Sequence, residues 1–133
     1  MIYIDANVFV FANFDDTEKG RTARKIIEKI GEGERPAAIT SALTMDEVMW
    51  AVIKSKGASD LRATIEDIYA MPNLAIKEVT SAIPLLALDI IEEYGLKPRD
   101  AFHAAIMKSF GITEIVSDDA DFDRIKWIKR IKL

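Results

Sequence analysis

The spacing of apolar and polar positions changes along the chain. Ile2, Tyr3 and Ile4 form a short apolar run that stops at Asp5, as a buried strand would. VFVFANF, Val8 to Phe14, has the propensity of a strand, yet Asp5-Ala6-Asn7 is also a good helix opening, so the period leaves both open. A helix is predicted from Asp15, Asp16 and Thr17, with Ala23, Ile26, Ile27 and Ile30 on one face and Gly31 just past its end. Pro36 to Thr40, Leu74 to Val79 and Glu114 to Ser117 read as further strands, and Trp127 to Ile131 as a weaker fifth. Helices are predicted between them over Thr44–Lys54, Ser59–Ala70, Ile83–Tyr94 and Pro98–Phe110. Pro72, Gly95 and Gly111 end three of these, and Pro98 suits a first helical turn. Met45, Met49, Trp50 and Tyr69 are assigned to the core or to helix interfaces, the other reading being an exposed patch for a partner.

Strands that alternate with helices imply parallel strands with helices on both faces, hence an α/β fold with a central sheet of four to five strands. Ligands of such sheets collect beyond the carboxyl ends of the strands. At 133 residues the chain is expected to form a single domain over 1–133, long enough to bury a core without covalent staples. Cysteine is absent, which removes disulfides and thiolate metal sites. No apolar run approaches the roughly 20 residues a bilayer requires, and no basic segment precedes the first apolar run. The expectation is a soluble, cytoplasmic protein without membrane contact.

The net charge of −4, from 22 acidic and 18 basic residues, argues against a plain electrostatic nucleic-acid binder. It leaves room for an enzyme whose bound cations turn an acidic site toward phosphate. The acids are placed suggestively. Asp5 closes the first strand, Glu47 and Asp100 each fall in the first turn of a predicted helix, and Asp118, Asp119 and Asp121 follow the fourth strand. Each has a structural explanation by itself. Thr44 to Glu47 matches a capping box, Asp100 suits a helix dipole, and Asp118 to Asp123 could be a solvated turn. Independent caps, however, need not gather at one end of one sheet.

Two carboxylates about 4 Å apart repel by roughly 4 kcal/mol at an effective dielectric near 20. Several in one cleft call for a divalent cation, and oxygen ligands without thiols favour Mg²⁺ or Mn²⁺ over zinc. Phosphodiester hydrolysis is the natural chemistry of such a site. His103, the only histidine, is either a packing residue or a donor to the phosphate. Lys126, Lys129, Arg130 and Lys132 either track an RNA backbone or protect an edge strand. Two rivals stand beside a nuclease: an aspartyl-phosphate phosphoryl-transfer domain, and a non-catalytic interaction module.

With IDAN at Ile4–Asn7, TMDEV around Glu47, KPRDAFHAA at Lys97–Ala105 and IVSDDADF at Ile115–Phe122, the sequence resembles the PIN domains, in particular the VapC-like group of small prokaryotic ribonucleases. The likeness covers essentially the whole chain. It implies a three-layer α/β/α sandwich and Mg²⁺- or Mn²⁺-dependent endonuclease activity on single-stranded RNA. It also implies a toxin with a cognate antitoxin, and a homodimer. Carried over position by position, the family's acids fall on Asp5, Glu47, Asp100 and Asp119, as catalytic residues that hold the metal directly or through water. Asp121, Asn7 and Ser117 take supporting positions, with Ser117 standing where threonine is commoner. His103, Arg99 and Lys126 are the candidate substrate contacts.

Overall fold

The computed structural model describes residues 1–133 and has one five-stranded sheet. Its strands are β1 (Ile2–Ile4), β2 (Ala38–Ser41), β3 (Leu74–Lys77), β4 (Glu114–Val116) and β5 (Lys129–Ile131), in the order β3-β2-β1-β4-β5. Every neighbouring pair is parallel, with Tyr3 opposite Ile39 on one side and Ile115 on the other.

Alternation along these short strands builds two cores. Ile2 and Ile4 face one side with Ala38 and Val116, while Tyr3, Ile39 and Ile115 face the other. The first side is covered by α1 (Ala6–Phe14), α2 (Glu18–Gly31), α3 (Ala42–Lys56) and α4 (Leu61–Tyr69). The second is covered by α5 (Ile83–Tyr94) and α6 (Pro98–Ser109), with Phe122 from a 3₁₀ turn at Ala120–Arg124. The result is the α/β/α sandwich that the strand–helix alternation predicts.

Three boundaries differ from the sequence reading in ways that bear on the site. VFVFANF is helical, because Asp5 caps α1: its Oδ1 accepts from the Ala6 amide at 2.7 Å. α3 begins at Ala42, not Thr44, because Ser41 is the cap and its hydroxyl accepts from the Thr44 amide at 3.4 Å. Glu47 therefore belongs to the second turn and takes no part in a capping box. Met45 is buried as expected, but Trp50 and Tyr69 are 63% and 61% exposed, which corrects their assignment to the interior. Met49 is also exposed, and it and Trp50 each lie about one helical turn before the exposed Ile53 of α3.

A close approach fixes the corner between α1 and α2. A Cβ at Gly20 would fall 1.8 Å from the Asp15 carbonyl oxygen, so only glycine fits where α2 packs back on the end of α1. That corner brings Lys19 to Asp118, 99 positions later, in a 2.8 Å ion pair.

Candidate metal centre

Asp5 leaves the central strand β1 almost fully buried, and both carboxylate oxygens are occupied. Oδ1 caps α1, while Oδ2 accepts from the Ser117 hydroxyl at 2.6 Å and from the Asn7 amide at 3.2 Å. Ser117, the buried residue after β4, also accepts from the Asp119 amide at 3.0 Å and from Asn7 Nδ2 at 3.3 Å. Asn7 Oδ1 accepts from the Asp118 amide at 3.2 Å. The end of β1 and the loop after β4 are thereby locked together. Asp119 caps the 3₁₀ turn by accepting from the Asp121 amide at 2.9 Å. Asp5 and Asp119 are thus caps and site residues at once.

Glu47 comes from α3 and points across to α6, where His103 Nε2–H donates to its Oε1. His103 is 1% exposed, which removes it from the candidate substrate contacts: it lies beneath the acids, not in the cleft. Asp100 stands in the first turn of α6, half-buried. Ligand atoms of Asp5, Glu47 and His103 lie within 4.8 Å of one another, and so do those of Asp100, Asp119 and Asp121.

The electrostatics are one-sided. No Lys or Arg pairs with Asp5, Glu47, Asp100 or Asp119. His103 lies 4.0 Å from Asp5 Oδ1 and in contact with Glu47. Burial, then the charges of Asp119 and Asp5, pushes the Asp100 carboxyl up to about 6. Burial also raises Asp5, against the opposing pull of His103 and the Ser117 hydroxyl. Burial opposes a charge on His103, yet the Glu47 hydrogen bond and the Asp5 and Glu47 charges outweigh it and raise its pKa. The more peripheral acids are neutralised: Asp118 by Lys19, Asp121 by Arg124 at 3.6 Å, and Asp123 by Arg130 at 2.8 Å. Unneutralised oxygen donors, without a thiol, fit a hard divalent cation. The acidic site can bind a metal.

Beside it opens a cleft of about 620 Å³, lined by Asp100, Asp119 and Asp121 and by Leu43, Lys97, Pro98, Arg99 and Phe102. Arg99 thus lines the same cleft as the acids. Lys126 does not: it is exposed in the loop before β5 and lines no part of the cleft. Lys97 and Phe102 were missed by the sequence reading: Lys97 sits three residues before Asp100, where the helical repeat could have indicated it, whereas Phe102, two residues after, lies off that repeat.

The chain is similar to known proteins in sequence and in fold. Ribonuclease VapC2 of Methanocaldococcus jannaschii is 25% identical over 144 residues, spanning 99% of this chain and 93% of that protein. The sarcin-ricin-loop-cleaving toxin VapC20 of Mycobacterium tuberculosis has the same fold, with a TM-score of 0.77 at 17% identity over 96% of this chain and 97% of its own. So does VapBC2 of Rickettsia felis bound to a promoter DNA fragment, with a TM-score of 0.75 at 17% identity over 99% and 98%. Residues 2–128 match the PIN domain, from the first residue of β1 to the turn before β5. That span includes Asp5, Glu47, Asp100 and Asp119, and the chain belongs to the PIN domain family.

Proposed function

We propose that the protein is a Mg²⁺- or Mn²⁺-dependent endoribonuclease that hydrolyses phosphodiester bonds of single-stranded RNA, a VapC-like toxin acting in the cytoplasm, with residues 1–133 working as one domain. The observation that carries this is the gathering of acids in two adjoining groups, Asp5 with Glu47 and Asp100 with Asp119, the charges of Asp5 and Asp119 both acting on Asp100, and none of the four ion-paired to a Lys or Arg. Protein carboxylates in that condition are stable company only for a cation. The ribonuclease relative, which aligns along nearly the whole chain, supports the same reading.

When bound, the ion supplies the charge that stabilises the attacking and leaving oxygens of a phosphodiester. The chain does the rest. Asp5, Glu47, Asp100 and Asp119 hold the ion directly or through water. Ser117 and Asn7 fix the Asp5 carboxylate and the Asp119 loop, and Asp121 closes the 3₁₀ turn behind it. Arg99 and Lys97 offer cations to the RNA phosphates, and Phe102 a ring to an unstacked base.

A cognate antitoxin partner follows from the toxin reading and from relatives solved as toxin–antitoxin assemblies, among them a complex from Klebsiella pneumoniae. Exposed Met49, Trp50, Ile53 and Tyr69 on α3 and α4, and Leu85 and Leu88 on α5, supply apolar area for that partner and for a homodimer mate. No helix is long and apolar enough to cross a membrane.

The test is cleavage of defined single-stranded RNAs by purified protein with Mn²⁺, Mg²⁺ or chelator, beside an Asp5→Asn control. Cleavage is expected with either ion, none with chelator, and none from the variant. Full activity in Asp5→Asn or in chelator would overturn the assignment.

A further inference from the structure

A chain of polar side chains runs through the second core and ends on Glu47. Tyr3, fully buried in the central strand, donates its hydroxyl proton to Ser41 Oγ at 2.9 Å and lies 3.4 Å from Thr44 Oγ1. The same hydroxyl is hydrogen-bonded to His103 Nδ1 at 2.7 Å, with the two rings edge to face at 5.6 Å. The other imidazole nitrogen meets Glu47. The chain therefore joins β1, the end of β2, α3 and α6, and it leaves no buried polar side-chain atom unpaired.

A site that served packing alone would be filled more cheaply by apolar groups, because a buried polar network stabilises only when every member is satisfied. Here four buried polar residues, Tyr3, Ser41, Thr44 and His103, converge on a single carboxylate at the edge of the cleft. Glu47 has no other side-chain partner. Ser117 and Asn7 hold Asp5 from one side of the site in much the same way.

We infer that Tyr3 and His103 are positioning residues: His103, held by the Tyr3 hydroxyl, clamps one oxygen of Glu47 and leaves the other turned toward the cation. This rests on the cation-dependent reading above. Neither residue touches RNA in this role, and His103 is a clamp and not itself a ligand.

The experiment measures Mn²⁺ binding to the full chain by calorimetry without RNA, so that it does not depend on turnover. Tyr3→Phe removes one oxygen atom, His103→Leu removes both clamp bonds, and His103→Gln keeps a donor within reach of Glu47. Tyr3→Phe and His103→Leu are expected to weaken Mn²⁺ binding about 10- to 100-fold, the usual effect of losing a group that orients a ligand. His103→Gln should recover part of that loss. In a Glu47→Gln background, Tyr3→Phe should cost almost nothing more, because its effect passes through the carboxylate already removed. If His103→Leu fails to fold, Tyr3→Phe in the two backgrounds decides alone. Unchanged affinity in Tyr3→Phe, or an equal further loss in the Glu47→Gln background, would overturn the clamp while leaving the nuclease assignment standing. Absence of Mn²⁺ binding by the unaltered protein would overturn both.

Discussion

Asp5 and Ser117 stand 112 positions apart and are joined by a 2.6 Å hydrogen bond, the shortest tie between the two strands that flank the acidic site. The hydroxyl has two tasks, donating to Asp5 and accepting from the Asp119 amide. Ser117→Ala leaves a buried carboxylate oxygen and an amide short of a partner, a cost of about 1–3 kcal/mol. The variant should melt earlier in chemical denaturation and cleave RNA about 10- to 100-fold more slowly. Ser117→Thr, which keeps the hydroxyl, should restore most of the activity.

Thermal melting reports the cation directly. At a hundredfold excess over the dissociation constant, Mn²⁺ should stabilise the protein by about 2.7 kcal/mol. For a domain of this size that corresponds to a rise on the order of 10 °C. Asp119→Asn should reduce the rise sharply, while Asp118→Asn should not, because Asp118 turns away to Lys19. Equal shifts in the two variants would contradict the assignment of the donor set.

Without metal, the protein should gain stability as pH falls from 7 toward 5. The carboxyl of Asp100, pushed to about 6 by burial and by Asp119, binds its proton more tightly folded than unfolded. Asp5 and His103 are shifted in the same upward direction. For all three, the stabilisation is full below the unfolded pKa and is lost as pH rises through the folded one. Asp15 and Asp123 are shifted downward by bonds to Thr17 and Arg130, and they act at more acidic pH than this window. Mn²⁺ should reverse the slope, since binding needs the carboxylates deprotonated. Melting curves at pH 5, 6 and 7, with and without Mn²⁺, check both signs.

Arg99→Gln separates RNA binding from metal binding. Loss of one phosphate contact should lower the slope of log affinity against log salt by about 0.7 for a single strand. RNA affinity should fall and Mn²⁺ affinity should not. Lys126→Gln, outside the cleft, should change neither. Fluorescence anisotropy with a short RNA, using Ca²⁺ in place of Mn²⁺ to suppress cleavage, measures the slope.

Much of the fold was legible because short apolar runs and helical repeats alternate cleanly. The acids could be placed at one sheet edge from strand ends and first helical turns. What escaped the sequence depends on contacts between distant residues. Val8 to Phe14 fits either period, and only the Asp5 cap settles it as a helix. The capping-box match at Thr44 was undone by Ser41, three residues earlier. The sequence offered His103 as a packing residue or a phosphate donor and could not show its bond to Tyr3, which lies 100 positions away on another element. Trp50 and Tyr69 have the composition of core residues, and only the packing of α3 and α4 reveals that they face outward. The pairing of Arg130 with Asp123 was equally invisible, so the basic end appeared freer than it is.

β5 is one of the two edge strands and three residues long, yet it braces the acidic pocket. The Ile131 carbonyl receives the Ser117 amide at 3.1 Å, and Arg130 donates to the Ser117 carbonyl while gripping Asp123. Trimming the chain before Arg130, or fusing a bulky tag hard against Leu133, would therefore loosen the backbone on which Asp119 is hung. An expression scheme that places the purification handle at the other terminus keeps that buttress intact.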